Sequence, residues 1–106
     1  MIRQTITMEF PSPYQTVDVD ISGMHANNVA VAGVHDDGTR EELLTVAGDS
    51  TVHALAVAIR QLHGQGHTHV AQLVYTGVFL ERWATLRTGD PPALDEVVEM
   101  PDGHGF

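Results

Sequence analysis

Apolar and polar residues alternate with a period of two in the first 22 residues, which is typical of strands that bury one face. In the first run the apolar side holds Ile2, Ile6, Met8 and Phe10, and the polar side holds Arg3, Thr5, Thr7 and Glu9. In the second run the inward residues are Val17, Val19 and Ile21, and the outward residues are Thr16, Asp18, Asp20 and Ser22. The prolines of the intervening FPSPY segment favour a turn, so we predict a hairpin.

Two further strands are predicted from a small apolar run and a turn. Residues 29–34 read VAVAGV, which is typical of a strand covered on both faces. The following DDGT, 36–39, indicates a hairpin turn because its glycine can take the left-handed conformation, and the return strand covers 40–47. Four consecutive strands predict an antiparallel meander.

A helix is predicted after the meander, over about residues 50–63. Apolar residues recur there at helical spacing, at Val52, Leu55, Ala56, Ile59 and Leu62. Asp49 or Ser50 can cap its N-terminus, and Gly64 stands where a left-handed C-terminal cap is expected. The apolar stripe of this helix is expected to pack on one face of the sheet, which gives an α+β domain.

The pattern is less decisive after the helix. Residues 69–75, HVAQLVY, predict a fifth strand, and 78–88 fit a sixth strand or a second helix, of which we expect the strand. Residues 93–100 fit a short helix or an edge segment, and 101–106 a flexible tail. The expected fold is a single α+β domain over residues 1–100, with an antiparallel sheet of five to six strands and one main helix packed on one face.

Composition excludes several classes of function. The net charge is −9, from 14 acidic residues against five arginines and no lysine, so contacts to the phosphates of nucleic acids or to anionic membranes are not expected. The chain has no cysteine and no apolar run of about 20 residues, and we expect a cytoplasmic protein. None of its three serines stands in a nucleophile elbow, so we assign no catalytic residue. Arginine is used in place of lysine throughout, with many Ala, Val, Gly and His residues, which is typical of a GC-rich coding sequence and indicates a bacterial or phage origin.

The LHGQGHTH segment, 62–69, is a candidate metal site. If residues 67 and 69 lie on a strand, His67 and His69 share a face and could bind zinc or another divalent transition metal, with His63 as a third ligand. The alternative, which we favour, is that the glycines end a helix and the histidines are solvated. The glycine spacing does not match a dinucleotide-binding loop.

The leading functional hypothesis is a small acidic protein-binding module, such as a phage or bacterial inhibitor of a basic-surfaced partner, with a homodimer as one form. The acids expected to face the partner are Asp18, Asp20, Asp36, Asp37, Glu41 and Glu42. Tyr75, Arg82 and Trp83 could form an interface hot spot, although a core tryptophan is the alternative. Two other hypotheses stay open: a histidine-ligated metal protein or small metalloenzyme, and a small-ligand enzyme or binding protein with a pocket between helix and sheet.

Overall fold

In a computed structural model that describes residues 1–9 and 12–100, four strands are followed by helices. The strands are β1 (Ile2–Thr7), β2 (Thr16–Ser22), β3 (Asn28–Val34) and β4 (Arg40–Ala47). They form one sheet in the order β1-β2-β3-β4, and every neighbouring pair is antiparallel. The predicted four-strand meander is therefore confirmed.

The register of the strands keeps the predicted alternation between the two faces of the sheet. Ile6 lies opposite Val17 and Thr5 lies opposite Asp18, so apolar residues meet on the inner face and polar residues on the outer face. A β-bulge interrupts β4, because Val31 pairs with Leu44 while Ala32 pairs with Glu42, which leaves Leu43 as the extra residue.

The helices are α1 (Thr51–Gly64), α2 (Thr68–Val74), α3 (Leu80–Leu86) and α4 (Leu94–Glu99). A π-helical turn, Tyr75–Phe79, joins α2 to α3 without a break, since Val74 and Leu80 on either side both have right-handed helical angles. Ser50 is the N-cap of α1, because its hydroxyl accepts the N–H of His53. At the other end, Gly64 is still helical and the positive φ, 90°, falls on Gly66.

The predicted fifth and sixth strands are absent from the described residues, where 69–75 and 78–88 fall largely within α2, the π-helical turn and α3. A short apolar run cannot distinguish a strand from a buried helix by periodicity alone. Here the buried residues are those at helical spacing, Val70, Ala71, Leu73, Val74, Val78 and Phe79. The helical layer thus contains a second long run, 68–86, beside the predicted main helix.

The hydrophobic core lies between the inner face of the sheet and the helices. Its largest fully buried side chains are Phe79, Ile21, Leu55, Ile59 and Leu62. The predicted stripe of α1 is confirmed, because all five of its residues are fully buried. No helix in the described part of the chain is long and apolar enough to span a membrane. The expected flexible tail, 101–106, lies outside the described residues.

Candidate functional site

Two of the predicted partner-binding acids, Asp18 and Asp20, lie beneath arginines on the outer face of the sheet. Nε of Arg3 donates to Oδ1 of Asp20 at 2.7 Å, and Nη2 donates to Oδ2 at 3.0 Å. Asp18 accepts from Nη1 of Arg40, and from the hydroxyl of Thr5 at 2.6 Å. We call Arg3, Asp18, Asp20 and Arg40 the outer-face ion cluster.

The outer-face ion cluster removes both aspartates from the acidic surface predicted for a partner. The residues are only 6% (Asp18) and 9% (Asp20) exposed, and each carboxylate is paired with a guanidinium. The hydrogen bond from Arg3 is the main cause that lowers the pKa of Asp20 below its usual range, so this carboxylate stays charged but compensated. The alternating pattern of β2 correctly predicted that both aspartates face outward, but it did not predict that arginines of the neighbouring segments bind them.

The other predicted acids lie in and beside the β3–β4 hairpin, and all are exposed: Asp36, Asp37, Glu41 and Glu42, the hairpin acids. The backbone N–H of Thr39 donates to Oδ1 of Asp37 at 2.9 Å, and this bond is the main cause that lowers the pKa of Asp37. Glu42 lies 3.5 Å from a guanidinium nitrogen of Arg40, yet its side chain is 66% exposed. A charged, accessible group of carboxylates therefore occupies this end of the sheet.

Tyr14, which the sequence did not mark as functional, fixes one of these acids. Its side chain is buried and its hydroxyl donates to Oε2 of Glu41. Burial, followed by the hydrogen bond to Glu41, raises the pKa of Tyr14 to about 12, so the phenol is protonated near neutral pH. His35 lies on the other side, with Nε2 3.8 Å from Oε1 of Glu41 and its ring edge-on to Tyr14 at 5.1 Å. Glu41 is thus held between a phenol and an imidazole.

A cavity of about 270 Å³ adjoins the ring of Tyr14. It lies where the segment before β2 meets the start of α2, and its lining residues are Ser12, Pro13, Tyr14, Gly66, His67, Thr68, His69 and Val70. The ring of His67 stands 6.5 Å from that of Tyr14. Because Tyr14 also binds Glu41, one side chain connects the cavity to the hairpin acids. We call the hairpin acids, Tyr14 and this cavity the hairpin end.

The three histidines of the predicted metal site are divided between two cavities. His63 lines a separate cavity of about 480 Å³, between the end of α1 and α4, whereas His67 and His69 line the cavity at Tyr14. Residue 67 caps α2 and residue 69 lies in its first turn, so the shared strand face assumed for the pair does not exist. Within residues 1–9 and 12–100, no three His, Asp or Glu side chains are grouped to hold a metal.

Two residues of the predicted hot spot of Tyr75, Arg82 and Trp83 bind the backbone of the segment that follows α3. The hydroxyl of Tyr75 donates to the carbonyl of Pro92 at 2.7 Å, and Nε1 of Trp83 donates to that of Gly89 at 3.1 Å. Both rings pack on Phe79, with centroids 5.5 Å (Tyr75) and 6.0 Å (Trp83) away. These half-buried rings hold the segment after α3 against the helices, and Trp83 packs against the core rather than inside it. Nε of Arg82 is buried and has no hydrogen-bond partner among the described residues.

No protein-family model matches this chain, and neither a curated protein nor a solved structure does. The outer-face ion cluster is internally compensated, whereas the hairpin end combines accessible charge, a fixed carboxylate and a cavity. Because its phenol is protonated near neutral pH and donates to Glu41, Tyr14 presents a fixed carboxylate at the hairpin end.

Proposed function

We propose that this chain is a small acidic protein-binding module that holds a basic segment of its partner at the hairpin end. The observation that carries the proposal is the position of Glu41: its side chain is 52% exposed, yet Tyr14 binds one of its oxygens and His35 faces the other. A carboxylate that is already fixed loses little side-chain entropy when it meets a partner's cation. Asp36 and Asp37 extend the negative field around it.

The cavity beside Tyr14 supplies the apolar part of the contact. Lysine and arginine carry long aliphatic stems below their charge, and such stems pack well on apolar surface. Pro13, Tyr14 and Val70 give the cavity apolar walls next to the hairpin acids. A basic side chain of the partner would therefore place its stem in the cavity and its charge near Glu41.

One form of this proposal is an inhibitor, of bacterial or phage origin, whose carboxylates occupy a basic site on a target protein. The net charge of −9 would accelerate the encounter with such a target by electrostatic steering. The absence of cysteine fits a reducing compartment, and we place the module in the cytoplasm as part of the same proposal.

A labelled arginine- and leucine-containing peptide is a suitable probe, with binding followed by fluorescence anisotropy. Asp36→Asn/Asp37→Asn/Glu41→Gln should weaken binding about tenfold or more, as expected when charges at a contact are lost. The control Asp90→Asn/Asp95→Asn/Glu96→Gln changes the net charge equally but lies elsewhere, and should weaken binding far less. Equal losses in both variants would mean that only overall charge matters and would overturn the proposal.

Tyr14→Phe tests the fixed carboxylate without any change in charge. The ring remains to wall the cavity, but the hydroxyl that holds Glu41 is lost. Binding of the same peptide should weaken although every carboxylate is still present. If Tyr14→Phe binds as tightly as the natural chain while remaining folded by circular dichroism, the fixed position of Glu41 has no role.

A further inference from the structure

The free edge of β1 has no strand beside it in the described part of the chain. β1 pairs with β2 along one side only, so the backbone N–H and C=O groups on its other side are not used within the sheet. The ladder continues past Thr7, because the N–H of Met8 donates to the carbonyl of Gln15 at 3.0 Å. Residues 2–8 therefore present a regular, extended template for another strand.

The opposite edge of the sheet, β4, is protected in ways that β1 is not. β4 contains the bulge at Leu43 and begins with the charged triplet Arg40, Glu41 and Glu42. Bulges and charges are the usual means by which edge strands avoid pairing. β1 reads IRQTIT, with no proline, glycine or acidic residue, and four of its six residues are β-branched.

Charge also favours β1 as the place where two copies meet. Two chains of net charge −9 repel each other wherever uncompensated carboxylates approach. Along β1 the adjacent carboxylates are already bound, Asp20 by Arg3 and Asp18 by Thr5 and Arg40. Met1 (79%) and Ile2 (53%) are exposed apolar residues at the start of the same edge.

We propose that two copies of this chain pair antiparallel through β1 and form one continuous sheet of eight strands. Outer-face residues must meet outer-face residues across the new pair, because a shift of one residue would exchange the faces. A two-fold axis at Thr5 pairs the whole 2–8 stretch, whereas an axis at Gln4 pairs only 2–6 of the same stretch. The axis at Thr5 places Arg3 opposite Thr7 of the second copy, and all helices lie on one face. This inference uses residues outside the hairpin end and does not depend on the proposed function.

Thr7 provides a charge test in which the contact and the net charge predict opposite results. Thr7→Glu makes the chain more acidic but places a carboxylate opposite the second copy's Arg3, so sedimentation equilibrium should show a tighter dimer. Thr7→Lys reduces the net negative charge but opposes two cations, so it should weaken the dimer. A natural chain that is monomeric at its highest soluble concentration, or a dimer strengthened by Thr7→Lys, would overturn the proposal.

The absence of native cysteine allows a second test by cross-linking. Thr5→Cys places one thiol at the proposed two-fold axis, and mild oxidation should give a disulfide-linked dimer rapidly. Thr45→Cys is the matched control, an exposed outer-face threonine on the other edge strand. Equal rates for the two variants would contradict pairing through β1. Thr5→Cys also loses the hydrogen bond to Asp18, so its folding is checked by circular dichroism. If this variant does not fold, the comparison of Thr7→Glu with Thr7→Lys alone tests the proposal.

Discussion

The ring of Tyr14 lies against the backbone of Gly33, so closely that a Cβ at residue 33 would stand 2.4 Å from Cδ1 of the ring. This contact sets the position of Tyr14 over β3, and through its hydroxyl the position of Glu41. A glycine in the interior of a strand is therefore part of the geometry of the hairpin end, since any side chain there would displace the ring.

Gly33→Ala should destabilise the protein by about 1–3 kcal/mol, the usual cost of inserting a methyl group into a packed site. Chemical denaturation followed by circular dichroism measures the change. Gly64→Ala is the control: apart from the adjacent residues and the backbone of its own helix, nothing stands within 4 Å of its added Cβ, and the change should stabilise the helix by a fraction of a kcal/mol. In a Tyr14→Ala background, Gly33→Ala should cost much less, and an unchanged cost would place the clash elsewhere.

Both tyrosines should ionise at higher pH than a free tyrosine. The pKa of Tyr14 is raised to about 12 by burial and by Glu41, and burial also raises the pKa of Tyr75. Because the protonated phenols are favoured in the folded state, their contribution to stability is complete below pH 10 and is lost as pH rises through the folded values. Ultraviolet absorbance of phenolate should show the Tyr14 transition near pH 12 and the Tyr75 transition above that of a free tyrosine while the protein is folded. In Tyr14→Phe only the Tyr75 transition should remain.

The ion pair of Arg3 and Asp20 predicts that the free energy of unfolding decreases at acidic pH. The pKa of Asp20 is lowered in the folded state from 3.8, so its contribution is present above that value and is lost as pH falls through the folded pKa. Asp20→Asn should reduce the free energy of unfolding at pH 7 and reduce the difference between pH 7 and pH 3. Urea denaturation at both pH values measures this. Arg3→Lys keeps the charge but not the two-pronged hydrogen bond, and should give an intermediate result.

The sequence allowed either Asp49 or Ser50 to cap the N-terminus of α1, and the structure shows Ser50 as the cap. Ser50→Ala removes the acceptor of the His53 N–H and should cost about 1 kcal/mol. The same serine oxygen also accepts from Nη2 of Arg87 at 3.2 Å, so the segment after α3 should loosen as well. Asp49→Ala should have little effect on the free energy of unfolding, because its side chain is 98% exposed. Equal costs for the two variants would contradict Ser50 as the cap.

The strands and the first helix could be predicted because their burial patterns repeat over several residues. Alternation identified the faces of β1 and β2, and the stripe from Val52 to Leu62 identified the buried side of α1. The run from Val70 to Phe79 could not be assigned correctly, because a buried helix and a buried strand both appear as continuous apolar sequence. The second helical run, 68–86, depends on packing between distant segments, and a local sequence pattern does not contain that information.

The candidate site was only partly predictable for the same reason. The exposure of the hairpin acids could be predicted, because it follows from a turn and its flanking residues. Tyr14 could not be identified, since its role depends on Gly33 and Glu41, residues far from it in the chain. The pairing of Arg3 with Asp20 was within reach, because an antiparallel hairpin places outward residues of β1 beside those of β2.

The π-helical turn between α2 and α3 has a consequence for how this chain can change in length. Val74 and Phe79 are five positions apart and both fully buried, although in a regular α-helix they would point about 140° apart. The wider turn brings them to the same side by accommodating one residue more than a regular turn. Deleting a residue there before Phe79 would rotate α3 by about 100° relative to α2 and carry Phe79 and Trp83 together away from the core. The exposed segment around Asp90 could accommodate a one-residue deletion. The same deletion in the π-helical turn would rearrange the core.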